Sequence, residues 1–182
     1  MLRGQARSIA VKIISGGQTG VDRAALDIAI ARGMAWGGWC PKGGWAEDFP
    51  VAPGLLSAYP NLQETPLANP LQRTQWNVRD SDATLILTTA DALAISIGTR
   101  RAHAWAHRHG KPELILRLED PRALAKAAAW LLVQRRRFGP QLTLGIGGPR
   151  ESEAPGIYAA ASRLIAALLD AIGERARRHG KA

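Results

Sequence analysis

The stretch Val11-Lys12-Ile13-Ile14-Ser15-Gly16-Gly17-Gln18-Thr19-Gly20-Val21-Asp22-Arg23 constrains this chain more than any other. An apolar run enters a glycine turn and opens at once into helix-forming residues, which is the strand–turn–helix unit of a layered α/β protein. Such a turn leaves backbone N–H groups unpaired at the positive end of a helix dipole, a setting that suits a phosphate or another anion. Two weaker copies follow. One is Thr84-Leu85-Ile86-Leu87-Thr88-Thr89 with Ser96-Ile97-Gly98-Thr99 after it; the other is Leu142-Thr143-Leu144-Gly145-Ile146-Gly147-Gly148-Pro149-Arg150-Glu151-Ser152. Three such strand ends on one sheet edge would converge on a shared crevice.

Apolar runs alternate with helix-period segments along the whole chain, the pattern of a three-layer, Rossmann-like, doubly wound and mostly parallel sheet with helices on both faces. The pattern predicts strands over residues 11–15, 35–39, 84–89, 113–118 and 142–146, and helices over 21–32, 72–80, 99–108, 121–136 and 156–172. The last helix carries the clearest stripe, with Ile157, Ala161, Leu164, Ile165, Leu168 and Ile172 at three- and four-residue spacing. Asp120-Pro121 reads as an N-cap followed by a first-turn proline. Residues 40–71 contain Pro41, Pro50, Pro53, Pro60, Pro66 and Pro70, which preclude a long helix and suggest a lid or a subunit contact.

A chain of 182 residues with 46% apolar content fits one domain. The expected division is a flexible N-terminus over 1–9, a single domain over 10–173 and a basic tail over 174–182. Cys40 is the one cysteine, so no intrachain disulfide forms and a reducing compartment fits. The apolar run near the N-terminus is broken by Lys12 and is too short to span a membrane, so a cytoplasmic protein without a membrane partner is expected. The formal charge of +9 gathers at Arg3 and Arg7, at Arg135-Arg136-Arg137, and at Arg175, Arg177, Arg178 and Lys181. Helix C-termini and chain ends favour such cations. The six tryptophans are scattered away from these clusters, so nucleic acid is not the expected partner.

The first turn lacks the G-x-x-x-x-G-K-[ST] of a P-loop and the G-x-G-x-x-G of a dinucleotide fingerprint. Gly16, Gly17 and Gly20 still permit close backbone approach, while Gln18 and Thr19 add side-chain donors and acceptors. Asp22 suits a helix N-terminus and Arg23 does not, so Arg23 needs an anion nearby. Arg73, Asn77 and Asp80 share a helix face that would point a polar row at the crevice. Gly98 and Thr99 offer a second helix N-terminus. In the third loop Gly148 permits close approach, Arg150 is a fork for an anionic oxygen pair, and Ser152 is a neutral donor. His103 and His107 stand four apart but among arginines and without further ligands, so no metal site is expected. No serine–histidine–acid set or paired catalytic carboxylate announces itself, and the catalytic residues of any enzyme here are unknown.

These blocks, read as 16–27, Gly38-Trp39-Cys40-Pro41-Lys42-Gly43, 73–86 and Gly148-Pro149-Arg150-Glu151-Ser152, resemble the putative molybdenum carrier family. That family is the circularly permuted YpsA-like branch of the SLOG superfamily, and the similarity covers about residues 10–172. The resemblance implies a Rossmann-like fold that binds a phosphorylated nucleotide-like or pterin-like ligand, molybdenum cofactor or a nucleotide, at its glycine-rich loops. It also implies a homo-oligomer, a dimer or tetramer. The wider superfamily includes LOG-type phosphoribohydrolases, which release a base from a nucleoside monophosphate. Arg73 stands eight residues before Ser81-Asp82 as in that pattern, and Gly98-Thr99 matches its glycine–threonine pair. The P-G-G element is missing, and Ala102 occupies the place of the catalytic glutamate. A binding protein with little or no hydrolysis is therefore the leading expectation, with a LOG-type hydrolase and single-stranded nucleic-acid binding as alternatives.

Overall fold

A computed structural model describes residues 11–179, with side chains described through 173; the expectations for 1–9 and for the basic side chains of 174–182 lie outside the described residues. The six strands β1 (Lys12–Ile14), β2 (Trp36–Cys40), β3 (Leu62–Glu64), β4 (Ala83–Thr88), β5 (Glu113–Arg117) and β6 (Thr143–Gly147) form one sheet in the order β3-β2-β1-β6-β4-β5. Every pairing in it is parallel. The chain winds outward from β1 through β2 to β3, restarts at β4, reaches β5 at the far edge, and returns with β6 to the centre. The winding direction therefore reverses around β1, β6 and β4, where an open α/β sheet forms a crevice beyond its strand ends.

The helices are α1 (Val21–Ala31), α2 (Pro70–Arg79), the four-residue α3 (Ala92–Ile95), α4 (Ile97–Arg108), α5 (Ala123–Phe138) and α6 (Ile157–His179). The two faces of the sheet are built unequally. Ile13, Leu85, Leu87, Leu116, Leu144 and Ile146 point to one face and pack with Ala24, Ala25, Leu131, Ile157, Ile165 and Leu168 of α1, α5 and α6. The periodic stripe of α6 thus lies in the main core. On the opposite face β4 presents Thr84, Ile86 and Thr88, and β6 presents Gly145 and Gly147; α2 and α4 pack against each other over it.

Local chemistry sets the element ends. Asn69 caps α2 through its side-chain oxygen, which accepts the Leu71 N–H at 2.9 Å, and Pro70 takes the first helical position. Ser96 caps α4. The Glu151 carboxylate accepts the Tyr158 N–H at 2.9 Å in the first turn of α6. Asp120 accepts the Arg122 N–H at 2.8 Å, but Pro121 and Arg122 form a turn and α5 starts at Ala123, later than the sequence suggested. Conversely α6 runs through Gly173, because one glycine costs a long helix only about 1 kcal/mol. Among the described residues no helix is long and apolar enough to cross a membrane.

Residues 40–71 differ from the irregular excursion expected. They supply β3, a single-turn 3-10 helix over Gly54–Ser57 and an antiparallel bridge between Ala46 and Phe49. A second small core of Leu26, Cys40, Ala46, Leu55, Tyr59 and Leu62 fastens the segment to α1 and β2. Leu55 is fully buried there. Leu55→Ala should therefore cost about 2–5 kcal/mol. Urea unfolding followed by tryptophan fluorescence should show a lower midpoint in a single transition, because this segment shares packing with the domain.

Candidate functional site

The crevice is a cavity of about 400 Å³ between the glycine- and threonine-bearing sheet face and helices α2 and α4. Ile14, Ser15 and Gly16 enter it from β1, Gly145, Gly147 and Gly148 from β6, and Thr84 and Ile86 from β4. Arg73, Asn77 and Val78 come from α2; Gly98, Thr99 and Ala102 come from α4; Arg150 lies at the rim with Glu153. The volume lies within the range of small-molecule and cofactor pockets.

Its floor is organised by a buried ion pair. Arg73 Nη1 donates to Asp22 Oδ2 at 2.7 Å, with the two side chains 13% and 5% exposed. Gly16 makes room for this: a Cβ there would stand 2.2 Å from Arg73 Nη1. Burial pushes the Asp22 carboxyl up, and it is opposed by Arg73 and by the backbone N–H groups of Gly148 and Gln18, which donate to the carboxylate. Ser15 Oγ donates to the Ile146 carbonyl at 2.7 Å and ties the end of β1 to β6.

That arrangement redistributes the residues expected to hold a ligand. Gly16, Asp22, Arg73, Asn77, Gly98, Thr99, Gly148 and Arg150 line the cavity, whereas Gly17, Gln18, Thr19, Gly20, Arg23 and Ser152 do not. The positive end of α1 is closed rather than open. Val21 N–H donates to the Pro149 carbonyl at 3.3 Å, and a Cβ on Gly20, at φ 77°, would stand 2.4 Å from that same oxygen. Gly17 packs against Leu62 and Leu55 of the second core.

The displaced polar residues fasten the 40–71 segment instead. Glu47 accepts from Thr19 Oγ1 and from Ser152 Oγ, each at 2.6 Å, and sits 3.4 Å from Arg150 Nη1. Gln18 Oε1 accepts the N–H groups of Thr19 and Glu47 at 3.0 Å. Burial raises Glu47, but hydrogen bonds from Ser152 and Thr19 together with Arg150 outweigh it and hold the carboxyl below the ordinary glutamate range. Arg23 forms a two-point pair with Asp48 at 2.7 and 2.9 Å and donates from Nε to the Gly17 carbonyl. The anion that Arg23 requires is thus Asp48, which it holds below the ordinary aspartate range.

Asn77 serves both roles. It lines the cavity, accepts the Trp39 N–H and donates to the Trp39 carbonyl, both at 2.9 Å. Asp80 turns away from the cavity to accept from Trp39 Nε1 at 2.7 Å and from Arg79 at 2.6 Å. Trp76 is half-buried beside Trp39 and Arg79. His103 pairs with Glu113 through Nδ1 at 2.7 Å. Cys40 is buried, and that burial pushes its thiol up to about 11. Among the described residues no group of three or more His, Cys, Asp or Glu side chains is placed to hold a metal ion. Thr84 and Ser96 belong to the second of the three strand–turn units, whereas Glu47 and Asp48 carry no motif of their own. The alternation Thr84, Ile86, Thr88 against Leu85, Leu87 is the signal that marks one face of β4 as polar.

The chain matches the family model described as the circularly permutated YpsA SLOG family over residues 13–169. It is also similar to the crystal structure of a putative molybdenum carrier protein from Syntrophus aciditrophicus SB. Identity is 38%, coverage is 88% of this chain and 96% of that one, and the TM-score is 0.74. No curated protein matches it.

The ion pair gives a direct test of this geometry. Arg73→Met leaves the Asp22 carboxylate buried without its partner and should cost about 3–5 kcal/mol in chemical denaturation at neutral pH. The double variant Asp22→Asn/Arg73→Met should recover most of that loss, because no uncompensated charge remains.

Proposed function

The chain belongs to the circularly permutated YpsA SLOG family, and from that premise we propose that it is a small-molecule binding or carrier protein for a phosphorylated nucleotide- or pterin-like ligand. The observation that carries this reading is the helix N-terminus over the cavity. Gly98, in the first turn of α4, has nothing within 4 Å of the position a Cβ would take, and it lines the same cavity as Arg73 and Arg150. The first N–H groups of a helix lack intrahelical partners, and their dipole favours negative charge. The Ser96 side chain already accepts the Thr99 N–H, so a phosphate group there would accept from the N–H groups of Ile97 and Gly98, with Arg150 adding a fork at the rim. Arg73 is shared with Asp22, so its charge toward a ligand is partly spent.

If the ligand is molybdenum cofactor, the cofactor is cargo. The cavity is lined without a thiol or an imidazole, so the protein would grip the organic part and leave the metal to its own ligands. The alternative of LOG-type hydrolysis finds Ala102 on the cavity wall in the glutamate position, while Asp22 is tied to Arg73 and Glu153 accepts the Arg150 N–H. A protein with one free buried cysteine suits a reducing, cytoplasmic setting.

Gly98→Asp tests the proposal with little risk to the fold, since the site is open and a carboxylate at a helix N-terminus favours the dipole. The variant should unfold at the same temperature as the parent or slightly higher, and bind nucleoside monophosphates at least about tenfold more weakly by calorimetry. Equal binding by variant and parent, or no binding by the parent to nucleotides or pterin phosphates, rejects it.

A further inference from the structure

The inner part of the cavity has a chemistry different from its mouth. Thr84 is 4% exposed and lines the cavity, and its Oγ1 has no hydrogen-bond partner. The same cavity is lined by the apolar side chains of Leu71 and Val78 of α2, Ile86 of β4 and Ala102 of α4. A Cβ on neighbouring Gly145 would stand 2.5 Å from Ser81 Oγ and 3.5 Å from the Thr84 hydroxyl, so the glycine makes room for both side chains against β6. A buried hydroxyl without a partner is costly and uncommon, and it marks a place where a partner from outside the chain restores the balance.

Resting on the ligand class proposed above, we propose that Thr84 reads the edge of a planar nitrogen heterocycle, which enters ring-first between α2 and α4 while its phosphate stays at the α4 N-terminus. Thr84 stands four residues before Thr88, where β4 ends, which places it about 13 Å back along that strand and level with Ile14, the last residue of β1. Phosphate, sugar and ring laid end to end cover that depth. The apolar walls accept the faces of a ring, and a hydroxyl can both donate to and accept from a polar ring edge. A sugar phosphate alone would leave both features unused. Ala102 contributes by being small, since a longer side chain on that turn of α4 would enter the slot.

Calorimetric titration with AMP, GMP and a pterin phosphate, against ribose 5-phosphate, tests this on the parent, Thr84→Val and Thr84→Ser, with thermal unfolding of each free protein. At least one ring-bearing probe should bind the parent roughly tenfold or more tightly than ribose 5-phosphate. Thr84→Val keeps the shape and removes the hydroxyl. It should lose about tenfold toward that probe, leave ribose 5-phosphate unchanged, and unfold at the same or a higher temperature, because an unpaired polar group has gone. Thr84→Ser should restore the preference. A parent that binds ribose 5-phosphate as well as the ring-bearing probes, or a Thr84→Val variant that keeps its ring preference, overturns the role of Thr84 and leaves the proposed anion site standing. Failure of every probe to bind overturns both.

Discussion

A parallel sheet has to be covered on both faces, and in this protein the two faces are covered by unequal means. One is closed by α1, α5 and α6 over a continuous layer of leucine, isoleucine and alanine. The other offers α2 and α4 a surface of Gly145, Gly147, Thr84 and Ile86, which has too little side-chain volume to fill the space beneath two helices. The cavity is the consequence of that shortage. Its position is fixed by topology, because β1, β6 and β4 are the strands around which the winding direction reverses.

Around this cavity the chain spends its charges on itself. Asp22 collects Arg73 and two backbone N–H groups, and Arg23 collects Asp48. Glu47 gathers Thr19 and Ser152 beside Arg150. The glycine turn after β1 thereby becomes the anchor of the 40–71 segment, and the first turn of α4 is left as the helix N-terminus that faces the cavity. The cavity assembled this way has its ion pairs and the second small core on one side and the α4 N-terminus on the other.

The sequence made the architecture legible wherever a long period was at work. The stripe of α6, the glycine turn between β1 and α1, and the apolar runs of β4, β5 and β6 each announce an element whose type follows from its own residues. β3 escaped notice because Leu62-Gln63-Glu64 is three residues long with one apolar position, and it is a strand only because β2 lies beside it. The lining of the cavity is half legible in the sequence. Arg73, Asn77, Gly98, Thr99 and Arg150 were singled out by residue type near strand ends, and they line the cavity. Gln18, Thr19, Arg23 and Ser152 have the same chemical credentials. Their partners, Glu47 and Asp48, lie in a segment whose prolines hide its fold, so no local pattern could show that those donors were already engaged. The pairing of Asp22 with Arg73 spans 51 positions and is equally invisible to periodicity.

The central claim is that the thinly furnished face of the sheet, and not the glycine turn at α1, is where a ligand goes. A crystal structure grown with a saturating nucleoside monophosphate tests it most directly. The account predicts density between α2, α4 and the sheet, with the phosphate oxygens on the backbone N–H groups of the first turn of α4. Density seated over Gly17-Gln18-Thr19-Gly20, with Glu47 displaced and the cavity vacant, would contradict it.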